Sequence, residues 1–265
     1  MSLTVNTNLE AMDANRNLNS TESMLAQSMQ RLSSGLRINS AADDVAGYAI
    51  SQRLQGQVNG LNQATQNSQD AVSLAQTAQG SLNDVTQMLQ RVRELAVQYA
   101  NGTTSTTDKE AITSEVTQLT DEIERVGTTT QFNGVNLLSA AATISFQVGA
   151  NDGEVIGVKT IDLNESIKGL IELKGTEPIK GIDEAIGKVS SLAGEFGAVQ
   201  DRIQYTEANL EVYSQNLSSA VSGIVDVNMA AEMTNFTKLQ VLQQAGVSIL
   251  SQANAQPQAV LKLLQ

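Results

Sequence analysis

Residues 61–99 read LNQATQNSQDAVSLAQTAQGSLNDVTQMLQRVRELAVQY. Small and aliphatic side chains recur three and four apart along it: Leu61, Ala64, Ser68, Ala71, Ala75, Ala78, Leu82, Val85, Leu89, Val92, Ala96 and Tyr99. Ser68 is the polar exception. The alternation is a period of about 3.5 residues, the pattern of a helix in a supercoiled bundle. It holds for more than five heptads before Asn101-Gly102 stops it. Downstream, Thr107-Asp108-Lys109-Glu110 reads as a capping box, with Thr107 as N-cap and Glu110 three positions on. The seam Ile112, Val116, Leu119, Ile123, Val126 follows, and Gly127 is expected to end that helix. A longer seam runs Ile182, Ala185, Val189, Leu192, Phe196, Val199, Ile203, Thr206, Leu210, Tyr213, Leu217, Ala220, Ile224. At about 1.5 Å per residue it predicts a rod on the order of 60 Å.

The same spacing reaches both ends. Leu18, Leu25, Leu32 and Leu36 mark it near the start; Leu239, Leu242, Gly246, Ile249 and Ala253 mark it near the finish. Residues 1–40 and about 225–265 are rich in Asn, Gln and Ser beside a narrow apolar stripe. Neither flank can bury much area alone, and helix nucleation is costly. Both are expected to order only on finding partners, either each other or other copies. The sustained helical spacing favours helical assembly over a cross-β reading of these amide-rich ends.

The middle differs. Ile144, Phe146 and Val148 alternate with polar residues, Asn151-Asp152-Gly153 gives a turn, and Ile156, Val158 and Thr160 alternate back. This predicts a β-hairpin at about 143–161. The segment from Leu163 to Gly181, with Gly169, Gly175 and Glu177-Pro178, is expected to be irregular. The fold class is therefore mainly α, long helices with one small hairpin.

Composition narrows the chemistry. Aromatics are 3% of 265 residues and Trp is absent, which suits thin helical seams better than a compact core. Absence of Cys removes disulfides and thiolate nucleophiles. Absence of His removes the usual general base and the commonest metal ligand. No catalytic residue, metal site or cofactor is expected. A net charge of −12 argues against nucleic acid and anionic membrane as partners. No apolar run is long enough to insert in a bilayer. The first basic residue is Arg16 and no apolar segment of signal-peptide type follows it, so no cleaved signal is expected.

Three segments resemble the bacterial flagellins: Arg31 to Gly47 (RLSSGLRINSAADDVAG); Gln90 to Gln98 (QRVRELAVQ) with Thr130 to Gly134 (TQFNG) downstream; and Leu242 to Gly246 (LQQAG) with Gln252 to Pro257 (QANAQP) and the final Leu-Leu-Gln. The resemblance covers about the first 140 and last 80 residues. It implies a chain whose two halves run antiparallel. Residues 1–40 and 225–265 would form an inner coiled coil, and residues 41–181 and 182–224 a helical bundle bearing the hairpin. Only about 18 residues separate Leu163 from Ile182, so the outer domains of larger members are absent. The implied function is that of an exported, extracellular subunit polymerising into the flagellar filament. The implied partners are other copies of itself, the flagellar type III export apparatus, an export chaperone, the filament cap and the hook-associated junction proteins. Assembly would order the terminal helices, and two packings of similar energy would let the filament switch between supercoiled shapes. Arg91, Leu95 and Glu115 match positions through which some flagellins are recognised by the vertebrate Toll-like receptor 5. Arg91 and Leu95 share a helix face. The plainer role for Arg91 and Glu115 is a subunit interface or a solvated face.

Asp43-Asp44 reads as a turn or helix start, because adjacent helical residues do not face one another. Thr103–Thr107 reads as a polar loop and cap, with O-glycosylation of outward hydroxyls open by resemblance. The chain departs from the family at Ser222 to Met229 (SGIVDVNM), where a charged stretch is usual. Two other readings compete. A hook-filament junction protein shares the end sequences, but the Gln90–Gln98 and C-terminal motifs fit filament flagellin. A coiled-coil signalling protein would form stable helical dimers and no polymer. The peptidase insert of some flagellins needs a His-Glu-x-x-His helix, which this chain cannot form.

Overall fold

The computed structural model describes residues 7–173 and 177–263, with side chains through residue 256. Gly175 and the last two residues of the Leu-Leu-Gln ending lie outside the described residues. The elements run α1 (Leu9–Ser34), α2 (Val45–Ala100), α3 (Thr106–Thr129), β1 (Gln131–Phe132), β2 (Val135–Asn136), β3 (Thr143–Gln147), β4 (Val155–Lys159), α4 (Leu163–Ile167), α5 (Pro178–Val225) and α6 (Met229–Leu263). The chain divides into two compact units. One comprises residues 1–56 with 217–265, the other residues 57–216.

In the second unit the α2 seam is the core. Of its twelve positions, every one but Tyr99 is at most 1% exposed. Ser68 is accommodated because its hydroxyl donates to the Ala64 carbonyl at 2.9 Å, which removes the cost of burying it unpaired. α5 lies antiparallel to α2, as three polar pairs establish: Asn62 with Ser214, Gln69 with Glu207, and Arg93 with Asp183. Seven residues separate the first two pairs on each helix, so the register does not slip there. Ile182, Ala185, Val189, Phe196, Ile203 and Leu210 of α5 are buried. Beyond Leu210 the seam shifts by one residue. Tyr213 is exposed and Ser214, Leu217, Val221 and Ile224 become the shielded positions, in place of Tyr213 and Ala220.

α3 begins two residues earlier than its sequence suggests. The capping box is Ser105 and Asp108: the Asp108 amide donates to the Ser105 hydroxyl at 3.2 Å, and the Ser105 amide donates to the Asp108 carboxylate at 3.3 Å. Gly127 does not end the helix, which continues to Thr129. It is required for a close approach, since a Cβ there would lie 2.7 Å from Asn164 Oδ1.

β3 and β4 form the expected hairpin, pairing Ile144 with Val158 and Phe146 with Ile156 on one face that joins the core. A second, smaller hairpin is present that the sequence reading omitted. β1 and β2 are joined by Asn133 (φ 49°) and Gly134 (φ 79°), the left-handed pair of a type I′ turn. The segment expected to be irregular contains α4, N-capped by Asp162, whose side chain accepts from the Glu165 amide. Leu163 and Ile167 of α4 are buried. Pro178 opens α5, a position where its missing N–H costs nothing.

In the first unit α1 ends at Gly35, whose φ of 73° and N–H bond to the Arg31 carbonyl make a left-handed C-cap. Leu36 therefore lies beyond the helix and forms an antiparallel bridge with Asp226. The Arg37 amide donates to the Val225 carbonyl at 2.6 Å, and the Val227 amide donates to the Gly35 carbonyl at 3.0 Å. The Arg37 guanidinium adds a bond to the Ile224 carbonyl at 2.5 Å, so this joint is closed onto main-chain carbonyls and amides of residues 224–227. Asp44 caps α2 by accepting from the Ala46 and Gly47 amides, both at 3.0 Å. Asp43 Oδ2 accepts from the Ser40 and Asn39 amides, and Oδ1 accepts from Gln27. The Ser40 N–H first, then Asn39 and Gln27, hold the Asp43 carboxyl below the ordinary value of 3.8.

Two outcomes follow for the folded chain. Leu82→Ala empties a fully buried seam position and is expected to cost about 2–5 kcal/mol in chemical denaturation. The Asp43 pKa is depressed on folding, so its contribution is present above the unfolded value and lost as pH falls through the folded one. The amide proton shifts of Asn39 and Ser40 should titrate with a midpoint below 3.8, and Asp43→Asn should abolish the step. A midpoint at or above that value refutes the assignment.

Candidate assembly surface

The first unit has almost no core. Among the described residues its buried apolar side chains are Ile38, Leu239 and Ala253 alone. α1 and α6 instead form a narrow antiparallel pair. Asn8, the N-cap of α1, donates from its side-chain amide to the Ala253 carbonyl at 2.8 Å. At the other end the Ser28 hydroxyl donates to Glu232. Between them Gly246 faces Leu18, where a Cβ would lie 3.3 Å from Leu18 Cδ1.

The shielded positions keep the three-four alternation on both helices. On α1 they are Ala11, Ala14, Leu18, Thr21, Leu25, Ser28 and Leu32. On α6 they are Glu232, Phe236, Leu239, Gln243, Gly246, Leu250 and Ala253. Leu18, Leu25 and Leu32 are half-buried in this seam and Leu239 is buried, whereas Leu36 belongs to the joint. Leu242 and Ile249 lie off it, 45% and 59% exposed. Both helical registers of α6 look alike in sequence. They share Leu239, Gly246 and Ala253; α1 covers these with Phe236 and Leu250 and leaves Leu242 and Ile249 uncovered.

Large apolar side chains stand exposed among amides and hydroxyls on the uncovered faces. Met229, Met233, Val241 and Val247 are exposed on α6 with Leu242 and Ile249, and α1 exposes Leu9, Met12, Met24 and Met29. From Met229 to Gln256 the only charged residues are Glu232 and Lys238. A nearly uncharged helix with this many large apolar side chains is suited to burial on more than one side. One neighbouring helix covers one side only, and exposed apolar side chains grouped on a surface mark an interaction site.

The second unit carries the other candidate. Arg91 Nε and Nη2 donate to Glu115 Oε1 at 3.0 and 2.9 Å, and Nη1 donates to Glu94 at 3.1 Å. These bonds, Glu115 first, raise the Arg91 pKa. Both partners are about half exposed. Leu95 is 2% exposed, packed with Val92, Ala96, Ile112 and Val116. The structure thus brings Arg91 and Glu115 together at the surface and places Leu95 beneath it. No group of His, Cys, Asp or Glu suited to a metal ion occurs among the described residues.

Comparison with known proteins agrees with this layout. Residues 5–143 match the bacterial flagellin N-terminal helical region, and residues 179–264 match the bacterial flagellin C-terminal helical region. A flagellin of Halalkalibacterium halodurans is 46% identical over 98% of this chain and 99% of its own length. A flagellin of Bacillus subtilis is 40% identical over the same shares. The crystal structure of Bacillus cereus flagellin superposes with a TM-score of 0.51 at 31% identity, covering 59% of this chain and 94% of that one. With both halves matched and relatives aligned along their full length, this chain belongs to the bacterial flagellin family.

Proposed function

We infer that the chain is the structural subunit of a bacterial flagellar filament, and that copies join through the first unit. One observation carries the reading of the surface: α1 and α6 satisfy each other along one seam only and leave Leu242, Ile249 and their neighbours in water. Burying such side chains against other copies contributes about 1.5–3 kcal/mol each, which opposes the entropy of ordering the ends. Repetition of a heterologous contact between identical subunits that does not close yields an open helical polymer. Membership of a structural protein family supports a building role for this chain. The proposed address is the extracellular filament.

Within this reading the α1–α6 pair is the inner coiled coil, and the second unit is the outer helical bundle with its hairpins. The flagellar export apparatus carries the chain out without signal cleavage. An export chaperone covers the apolar faces of α6 before assembly. The filament cap and hook-associated junction proteins meet it at the two ends of the polymer. The Arg91–Glu115 pair is the surface offered to Toll-like receptor 5, with Leu95 as its support. Exposed hydroxyls of residues 103–107 are candidate glycosylation positions.

The test is seeded polymerisation of purified monomer read by electron microscopy, beside a chain lacking residues 1–40. Filaments from the full chain alone support the reading; soluble dimers under all conditions favour a signalling coiled coil. Leu242→Gln with Ile249→Gln should leave monomer stability within about 0.5 kcal/mol per site while raising the critical concentration on the order of a hundredfold. Elongation at the unmodified critical concentration sinks the surface assignment. Arg91→Ala should weaken receptor signalling by monomer without loss of helix content. Leu95→Ala should act through packing, costing about 2–5 kcal/mol. Signalling unchanged by Arg91→Ala counts against recognition there.

A further inference from the structure

We propose that Asn101 is a self-modification site, the asparagine at which the folded chain first loses its side-chain amide. The reaction is general Asn-Gly chemistry. A base removes the proton of the Gly102 backbone N–H, and that nitrogen attacks Cγ of Asn101. The N–Cγ bond forms, the Cγ–NH2 bond breaks, and the amide leaves as ammonia. Water then opens the five-membered imide at either carbonyl, giving aspartate or isoaspartate at position 101. No redox partner is needed.

The chain contains three Asn-Gly pairs, Asn59-Gly60, Asn101-Gly102 and Asn133-Gly134, and the fold treats them differently. Asn59-Gly60 lies inside α2, where the helical ladder engages the nucleophilic N–H and fixes the main chain. Gly60 also packs on Ala150, with a Cβ position 3.1 Å away. Asn133-Gly134 is exposed but locked as the left-handed pair of the β1–β2 turn, held by ladder pairs on both sides. That turn must open before the Gly134 nitrogen can reach Cγ of Asn133.

Asn101-Gly102 has neither protection. Both residues are exposed and follow the end of α2. Among the described hydrogen bonds none engages the Gly102 N–H. The Thr103 amide donates to Asn101 Oδ1 at 3.4 Å. That bond turns the side-chain carbonyl toward the main chain that follows it. Gly102 has no left-handed φ and nothing within 4 Å of a Cβ position, so Gly102→Ala is tolerated sterically. The product places a negative charge at the C-terminal end of α2, where the helix dipole disfavours it. Isoaspartate also lengthens the main chain of the loop leading to the Ser105 cap.

The experiment incubates the purified full chain in mildly alkaline buffer, folded or in urea. It follows amide loss at each asparagine by mass spectrometry of tryptic peptides, residues 94–109 reporting Asn101. Conversion at Asn101 should come first in the folded chain, with Asn59 and Asn133 catching up only in urea. Gly102→Ala should slow Asn101 about tenfold, a barrier change of about 1.4 kcal/mol, with an unchanged circular dichroism spectrum. Should that variant misfold, Asn101→Gln serves instead and should abolish conversion at the site. Conversion of Asn59 or Asn133 first, equal rates at all three, or no effect of either variant overturns the proposal.

Discussion

Everything in the second unit depends on the exclusion of water from one side of α2. A seam of Ala, Leu and Val repeating every 3.5 residues gives a continuous apolar stripe, and the fold is the way the rest of the unit covers it. α5 covers most of its length, with α3 joining at the Val92–Ala96 end. The β3–β4 hairpin adds Ile156 and Val158. Exposed ion pairs such as Arg93–Asp183 sit at the edges of this contact, where solvent screens them. They register the helices rather than hold them.

The first unit follows the opposite plan. Its helix ends and turns are capped: Asn8, Gly35, Asp43 and Asp44 each engage main-chain groups that would otherwise be left open. Its apolar groups are not, because a pair of helices can bury only a strip of each. The unit therefore has defined local geometry and little internal burial. This is a sound arrangement for a surface whose remaining faces are to be covered by identical neighbours. Gly246 belongs to the same logic, since a Cβ there would press on the Leu18 side chain at 3.3 Å.

The helices and their main seams were legible in the sequence, because a period sustained over many heptads outweighs local noise. The α2 seam is the clearest case, and Asn101-Gly102 does terminate it. Local details were less legible. Ser105 displaced Thr107 as the cap because two overlapping box-like patterns compete and only side-chain geometry decides between them. The β1–β2 hairpin escaped notice because two-residue strands carry no alternation, although Asn133-Gly134 was a sufficient turn signal. Gly127 reads as a helix end in sequence, whereas in the fold it lies against Asn164, a residue distant in sequence.

The class of this protein is written in its linear pattern. Long seams, absent His and Cys, amide-rich ends and the family motifs left an assembling helical subunit, because period and composition are properties of the chain alone. Tertiary structure decided which face of each element is used. α6 carries two overlapping apolar registers, and only its pairing with α1 shows that Phe236 and Leu250 are shielded while Leu242 and Ile249 stay exposed. Likewise Arg91 and Leu95 share a helical face in sequence, yet packing of α3 puts one at the surface and the other beneath it. A linear pattern states what can be buried; which side is buried depends on the neighbour that arrives.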